Sequence, residues 1–485
     1  MVHTFQMKLQ LVLPQEENYQ PLNEGWWLPL GLTSIGTSVK ASHPDVEVEI
    51  LDGRHVPNDE ISNRLDGDIV GFGPSVTSYV PALRMAKELK EKSPSSLVVF
   101  GGPYVTPMSG TILMRRSFID GIVAMDGEES LEKIVAGGLS GEVPNLTFGG
   151  ELISEDLQAH ARERGLDIVR GPVRKTPRRM IRVKDAPFPD ISLLPDLEKY
   201  WQDFWRTYPQ HDGKGIIATA AQRGCTYRAR KGGGCFFCSR VDNKYRVTDP
   251  KEYAEYVKLL EGKFGANIIE ESSDDLVANK NWLRRFADAY EELGLTVEYR
   301  LFGRADKIDE ETISLLKRIR AQSVFVGYES GDEDMLKVCN KSLSLDRARH
   351  STKLLVNAGI EVVGAFILGF PGESERSVDN TVGFAQEMYE MGVGTISYAI
   401  LTPLPPSPAW QFMRAQPLAV LQSRLRRGVT LGTDYGNSDV LDPVELQQDF
   451  VGAFCEVEYD YLTDRLRELS EISEVDTGDF VPSAN

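Results

Sequence analysis

From Met7 to Gly137 short apolar runs alternate with stretches whose apolar residues recur every three or four positions. KLQLVLP, VEVEILDG, DIVGFG, LVVFGG and GIVAM read as strands, and PLGLTSIGTSVKAS, YVPALRMAKELKEK and EESLEKIVAG as helices. Strands separated by helices require parallel crossovers, so an open, doubly wound α/β domain is expected. Ligands of such sheets bind beyond the carboxyl ends of the strands. The loops there hold Gly71, Gly73, Ser75, Thr77 and Ser78, then Gly101, Gly102 and Thr106, then Gly127 and Glu128. Glycine lets backbone approach a large ligand, and hydroxyls at a helix start can hold a phosphate or amide arm. The same glycine turns also serve sheets for folding reasons alone.

Between Gly138 and His211 the pattern becomes irregular and rich in proline and charge. The boundary falls here: a first domain over 1–140, a linker over 141–211, then a region over 212–415 in which βα alternation returns. GIIATAA, ANIIEESSDD, TVEYRLFGRA, SVFVGYES, VVGAFILGF and TISYAILTPLPP read as strands separated by amphipathic helices. Six such units predict a partial TIM-like barrel, with its chemistry at the carboxyl ends of the strands. Residues 416–485 are acidic and helical in pattern, with VELQQDFVGAFCEVEYDYLTDRLRELSE the clearest amphipathic segment and disorder expected from Glu474 onward. Cys455 on that segment reads as a buried small hydrophobe.

A chain of 485 residues needs more than one core, and 41% hydrophobic with 26% charged residues is globular composition. The net charge of −18 repels phosphate backbones, which speaks against nucleic acid. The basic run from Arg170 to Arg182 reads as a solvated linker. No apolar run is long enough for a transmembrane helix, and the start, MVHTFQMKLQLVLPQ, lacks the features of a signal peptide. A cytoplasmic enzyme without a membrane partner is expected.

Three of the five cysteines, Cys225, Cys235 and Cys238, fall in AAQRGCTYRARKGGGCFFCSR directly after the first barrel strand. Three thiolates can hold an iron–sulfur cluster and leave one iron open for a substrate. Zinc would usually recruit a fourth Cys or His, and none lies in ligand spacing with this segment. Buried unliganded thiols are the remaining reading, and spacing by itself leaves all three open.

A doubly wound domain followed by a six-stranded partial barrel, with a cysteine triad after the first barrel strand, resembles the cobalamin-binding radical S-adenosylmethionine (SAM) enzymes. In the first domain the resemblance rests on PLGLTSIGTSVK, GFGPSVTS, GGPYVTP and MDGEESLEKI. In the barrel it rests on RGC with CFFC, SSDDLVANKNWL, VGYESGDEDMLKVCNKSLS, AGIEVVGAFILGFPGES and TPLPPSP. The family spaces its cysteines by three residues and then two. Here Ala229 stands where the second would fall, and the insertion Arg230 to Gly234 moves that ligand to Cys235, with Gly232, Gly233 and Gly234 letting the longer loop turn back. The Asp-x-His-x-x-Gly motif that ligates cobalt in some cobalamin proteins has no counterpart in PQEENYQPLNEGWW. A corrin with no histidine on cobalt is therefore implied, and His55 reads as a surface or capping residue.

The resemblance implies that Cys225, Cys235 and Cys238 hold a 4Fe-4S cluster whose open iron takes the amino and carboxylate groups of SAM. Glu271, Ser272 and Asp274 fall where the family contacts the methionine amino group. Arg304, Glu329 and Ser330 are placed for the carboxylate and ribose, and Gly364 and Gly369 for adenine. The loops with Gly73, Ser75, Thr77, Ser78, Gly101, Gly102, Thr106, Gly127 and Glu128 would hold cobalamin. Cys339 reads as a fourth ligand or hydrogen donor or, more simply, as a buried helix-end residue; Tyr328, Tyr398 and Trp410 as substrate-cavity aromatics or core. The activity implied is methylation of an unactivated carbon in a small-molecule natural product, through a 5′-deoxyadenosyl radical and methylcobalamin, fed by an external flavodoxin- or ferredoxin-type reductant. A non-methylating rearrangement, cyclisation or sulfur insertion, and a non-catalytic corrin- or metal-binding protein, stand as alternatives.

Overall fold

The computed structural model describes residues 6–16, 25–163, 168–229, 233–416 and 439–472; Arg230 and Gly232 of the lengthened loop and the tail from Glu474 lie outside the described residues. The chain divides into two compact units. One comprises Met1–Pro21, Pro29–Leu197 and Thr433–Asp442, the other Leu22–Leu28, Glu198–Gly432 and Pro443–Asn485.

In the first unit β1 (Lys8–Leu13) lies between β2 (Glu47–Asp52) and β3 (Ile69–Phe72), and β4 (Leu97–Gly101) and β5 (Gly121–Val123) continue the sheet, all parallel. The order β2-β1-β3-β4-β5 puts a topological switch between β1 and β3, where a crevice opens at the carboxyl ends. Fully buried parallel strands read as unbroken apolar runs, and Leu9, Leu11 and Val12 accordingly are buried. Gln10 is the exception, and its burial is compensated: Oε1 accepts from the Asp66 and Gly67 amides at 3.0 and 2.8 Å, while Nε2 donates to Glu49 and the Arg64 carbonyl at 2.7 and 2.9 Å. Helix α1 (Leu30–Ser42) buries Thr33, Ser34, Thr37 and Ser38 in place of a leucine stripe.

The stretch read as irregular also contributes to this sheet. Strands β6 (Leu146–Phe148) and β7 (Arg174–Lys175) extend it in antiparallel fashion. Segments of three and two residues are too short to show a period in sequence. In the basic run Arg174, Lys175, Arg178, Arg179 and Arg182 are exposed, as a solvated segment should be, and only Arg170 is half-buried, donating to the carbonyls of Ser117 at 2.5 Å and Gly150 at 3.3 Å. Arg174 and Lys175 are exposed and protect the sheet edge with charge.

The second unit is built on six parallel strands in the order β15-β14-β13-β12-β11-β8: β8 (Gly215–Thr219), β11 (Ala266–Glu271), β12 (Glu298–Gly303), β13 (Ala321–Glu329), β14 (Glu361–Leu368) and β15 (Thr395–Ile400). A two-stranded ribbon, β9 (Gln222–Arg223) with β10 (Arg246–Val247), interrupts the first crossover. Sequential order with two free edges is the half-barrel that six βα units predict. The crossover helices start from side-chain caps, Asp249 on the Lys251 amide, Asn279 on Trp282, Asp309 on Thr312 and Ser344 on Arg347. At the amino ends of β8 and β11, Trp201 and Trp205 donate to the carbonyls of Ile216 and Lys214 at 2.8 Å each, and a cluster of Trp26, Phe204, Ile216 and Ile268 forms there. That end is filled by core, which leaves chemistry to the carboxyl end. Among the described residues no helix is long and apolar enough to cross a membrane.

Asp439 belongs to the first unit although most of the second precedes it. It is 1% exposed and accepts from Tyr79 Oη and from Nε and Nη2 of Arg116, each at 2.9 Å, with Arg115 at 3.6 Å. Removing one partner of such a buried network leaves the other charges uncompensated. Asp439→Ala is expected to cost about 3–5 kcal/mol in urea unfolding followed by circular dichroism, and a wild-type midpoint would contradict the importance of the clasp.

Candidate functional site

The cysteine loop leaves the carboxyl end of β8 and is closed at its base by the β9–β10 ribbon. Gly224 follows at φ +79°, where a Cβ would lie 2.0 Å from the Lys244 carbonyl, so no other residue fits this corner. One turn is fixed by the Ala229 amide donating to the Cys225 carbonyl at 3.0 Å, and Arg228 Nη1 donates to the Cys238 carbonyl at 3.1 Å. Gly233 and Gly234 have φ of +87° and +86° and return the chain toward Cys235.

The returning part of the loop rests on residues 339–342, which follow α11 (Glu333–Val338). The Phe236 amide donates to the Cys339 carbonyl at 2.8 Å, Asn340 Nδ2 to the Gly234 carbonyl at 2.7 Å, and Tyr227 Oη shares a hydrogen bond of 2.8 Å with Ser342 Oγ. Asn340 and Ser342 adopt φ of +54° and +53°, a conformation that costs a side-chain-bearing residue energy and is held here by these bonds. Cys339 itself is buried at the helix end, within electrostatic reach of Cys235.

Burial pushes the Cys225 and Cys235 thiols up; at Cys235 the Lys341 and Arg304 cations work against that shift. Arg304, just beyond β12, donates from Nη1 to Cys235 Sγ at 3.7 Å, from Nη2 to the Lys341 carbonyl at 2.6 Å and from Nε to Asp306 at 2.9 Å, and its face lies 4.3 Å from the Tyr227 ring centroid. Lys341 is buried and pairs with Glu329 at 2.5 Å; burial pulls its value down, but the Glu329 and Cys235 charges outweigh burial and raise it.

Several residues singled out in the sequence make contacts within the scaffold. The Glu271 carboxylate accepts from the Ala221 and Ser273 amides at 3.0 and 3.1 Å and from the hydroxyls of Ser273 and Tyr253. Asp274 pairs with the exposed Arg240 at 2.7 Å, and the Ser272 amide donates to the Thr219 carbonyl at 2.8 Å. Glu329 has φ +68° at the end of β13, and Ser330 Oγ shares a hydrogen bond of 3.0 Å with Thr381. A Cβ on Gly364 would lie 2.8 Å from the buried Tyr328 ring; Gly369 has φ +95° and a Cβ there would meet Ile400 and Val451 at 3.3 Å. Tyr398 and Trp410 are buried, and the Cys455 thiol, only half-buried, donates to the Phe370 carbonyl at 3.3 Å.

Other residues at this end, overlooked in the sequence, have unmet hydrogen-bonding capacity. Asp275 is fully buried and neither of its oxygens has a hydrogen-bond partner of good geometry; burial raises its carboxyl to about 6 against the pull of Arg304. Thr219 Oγ1, Thr226 Oγ1 and both polar atoms of the Gln222 amide are likewise buried without a partner. Native interiors rarely leave such groups unpaired. Their concentration at the carboxyl ends of β8 and β11, where the cysteine loop also starts, fits the binding of a polar ligand. Among the described residues no three His, Cys, Asp or Glu side chains close on a single ion.

In the first unit Ser75 Oγ contacts Thr77 Oγ1 at 2.8 Å, Ser78 Oγ at 3.0 Å and Glu16 at 3.0 Å, a hydroxyl cluster beyond β3. Gly102 follows β4 at φ +98°, and its carbonyl accepts from Thr106 Oγ1 at 2.8 Å. A Cβ on Gly73 would lie 3.2 Å from Leu32 and one on Gly101 3.3 Å from the Val123 carbonyl. Gly127 starts helix α5 (Glu128–Gly137), and a Cβ there would lie 2.7 Å from Ile35 of α1; Glu128 accepts from Ser34 at 2.7 Å. These last two therefore seat α5 on α1. His55 sits in the turn after β2, its amide donating to the Asp52 carbonyl at 3.0 Å.

Residues 220–385, from the cysteine loop through the fifth strand of the half-barrel, match the model of the radical SAM superfamily. That stretch of the chain carries the superfamily's pattern. The chain is 26% identical over 425 residues, 85% of its own length and 84% of the relative's, to an uncharacterized methyltransferase, PH0819, of Pyrococcus horikoshii. It is 24% identical to the anaerobic magnesium-protoporphyrin IX monomethyl ester cyclase of a Synechocystis strain, over 74% of this chain and 68% of that one. In fold it is similar to the radical SAM methyltransferase TsrM of Kitasatospora setae, with a TM-score of 0.67, 16% identity, and coverage of 97% of this chain and 89% of that chain. The mixed sheet, the half-barrel and the C-terminal helices thus form a known arrangement of elements.

Glu373, in the GFPGES turn after β14, offers a test of the barrel mouth through pH. One of its oxygens accepts from the Gly369 and Phe370 amides and the other is buried without a partner, and burial lifts the carboxyl from the ordinary 4.5 to about 7. The native state therefore keeps a proton that the unfolded chain releases, so the stability this group confers is full below the ordinary range and is lost as pH rises toward 7. Wild-type stability is expected to fall relative to Glu373→Gln between pH 5 and 8, by about 3 kcal/mol in the limit, as read by urea unfolding across that range; parallel profiles would refute it.

Proposed function

We propose that this protein is a cobalamin-dependent radical SAM enzyme that methylates an unactivated carbon of a small-molecule substrate. The reading is carried above all by the three cysteines on the loop that follows the first strand of a radical SAM half-barrel, beside buried polar groups that the chain leaves unpaired. Support for methyl transfer comes from the Pyrococcus relative, described as a methyltransferase across most of both chains. Support for cobalamin comes from the first unit's switch-point sheet and from TsrM, whose similarly folded structure holds cobalamin and a [4Fe-4S] cluster.

In this reading Cys225, Cys235 and Cys238 hold the cluster. The cofactors supply the electron, the radical-forming sulfonium and the transferable methyl group; the protein supplies orientation and charge. Asp275, Gln222 and Thr219 offer the unmet hydrogen bonds for the methionine end of SAM, with Ser272 and Asp274 alongside. Glu329 and Ser330 stand after β13 for the ribose, with Gly364 and Gly369 on the adenine side. Glu271 acts behind them by fixing the start of the cysteine loop through Ala221. Gly73, Ser75, Thr77, Ser78, Gly101, Gly102 and Thr106 line the corrin crevice, and Gly127 with Glu128 hold the helix at its edge. Turnover requires a one-electron donor, of flavodoxin or ferredoxin type.

A second reading keeps the cofactors and replaces methyl transfer by cyclisation, and the similarity to the Synechocystis cyclase favours it. Product analysis separates the two. Anaerobic turnover of protein reconstituted with iron, sulfide and hydroxocobalamin is expected to release both 5′-deoxyadenosine and S-adenosylhomocysteine. Release of the first alone would overturn methyl transfer. Cys238→Ala is expected to lose the iron–sulfur absorption and both products, and its retention of either would remove the cysteine loop from the chemistry.

A further inference from the structure

The cysteine loop of this chain is longer than the three-then-two spacing that its resemblance suggests, with nine residues between Cys225 and Cys235, three of them the glycines Gly232 to Gly234. Loop-closure entropy and glycine freedom both work against a fixed thiol position at the end of such a segment. The structure compensates from outside the loop. Asn340 grips the carbonyl of Gly234, the Cys339 carbonyl takes the Phe236 amide, and Cys235 between them faces the guanidinium of Arg304. Arg304 in turn is fixed on three sides and on one face, by Asp306, the Lys341 carbonyl, Cys235 and the Tyr227 ring. Every nitrogen of the guanidinium already donates within the chain, which is the state of a group committed to the protein rather than one waiting for a ligand carboxylate.

We propose that Arg304, together with Asn340, is a positioning device for Cys235 that the lengthened loop requires, and that the N–H of Arg304 directed at Cys235 Sγ sets the reduction potential of the cluster. This rests on the cluster assignment made above. It moves Arg304 from the SAM carboxylate to the iron–sulfur ligand. A hydrogen bond and a fixed positive charge at a ligand sulfur stabilise the more negative, reduced cluster, so they raise its potential. Asn340 carries the geometric half of the task, and its left-handed backbone is the cost of aiming its amide at Gly234.

The test uses the full chain reconstituted anaerobically, with Arg304→Gln, Arg304→Lys and Asn340→Ala beside wild type. Iron content, the cluster midpoint potential from an electron paramagnetic resonance redox titration, and SAM affinity by equilibrium dialysis are measured separately, with circular dichroism as the check on folding. In Arg304→Gln a more negative potential with SAM affinity retained is the expected result. In Arg304→Lys, which keeps the charge but loses the fork, a smaller shift in the same direction is expected. Asn340→Ala is expected to lower the iron retained after gel filtration without altering SAM affinity per cluster. Loss of SAM affinity in both Arg304 variants at an unchanged potential would return Arg304 to the SAM carboxylate, and unchanged values throughout would equally overturn the proposal. If Arg304→Gln does not fold, Arg304→Lys and Asn340→Ala decide by the same criteria. Wild-type protein that takes up no iron would instead overturn the cluster assignment, a failure distinct from any of these.

Discussion

Buried at the carboxyl end of β11, the Glu271 carboxylate joins two neighbouring strand ends through the Ala221 amide on one side and the Ser273 amide and hydroxyl on the other. A charge in that position is costly unless each of its oxygens is occupied, and the Tyr253 hydroxyl completes the set. The cysteine loop starts one residue beyond Thr219, at a level fixed by this carboxylate, and Ser272 and Asp275 leave β11 from the same junction. The radical SAM site inherits its geometry from that knot of hydrogen bonds, even though Glu271 has no spare valence for a ligand.

Around the knot, charge is arranged so that cations lie on the cysteine side. Arg304 and Lys341 act on Cys235 as cations while pairing with Asp306 and Glu329, and the Glu329 charge works against them at that thiol. Three thiolates in a dry barrel mouth would otherwise repel one another and resist ionisation. Asp275, with the same Arg304 pulling on it, remains a carboxyl of raised value because burial outweighs that pull. The mouth therefore combines compensated groups that hold shape with buried groups whose hydrogen-bonding capacity the chain leaves unmet.

Much of this was open to reading from the chain alone, and the reasons are physical. Parallel strands covered on both faces produce continuous apolar runs, so eleven of the strands stood out, and rare cysteines in a barrel position marked the loop. Strands β6 and β7 left no trace because three and two residues cannot carry a period. At the site, Asp274 and Asp275 are adjacent and chemically identical in the sequence; only tertiary structure separates a half-buried ion-pair partner from a fully buried carboxyl with unmet hydrogen-bonding capacity. Asn340 and Lys341 gave no signal, since their meaning lies in contact with residues more than a hundred positions earlier or with a strand end. Glu271 and Glu329 were noticed as carboxylates at strand ends, but that their acceptors were already used is a fact of tertiary structure.

The return of Asp439 to the first unit bears on how the protein is made. Tyr79 and Arg116 lie 360 and 323 residues ahead of the carboxylate they bind. At a translation rate of roughly 5–20 residues per second the interval is roughly 15–70 seconds. Throughout it, the first unit emerges from the ribosome with two arginines and a tyrosine directed at a place no acid yet occupies. The strands of the sheet all lie between Lys8 and Lys175 and can pair in that interval, whereas this buried ion pair is made only after the barrel strands have been synthesised.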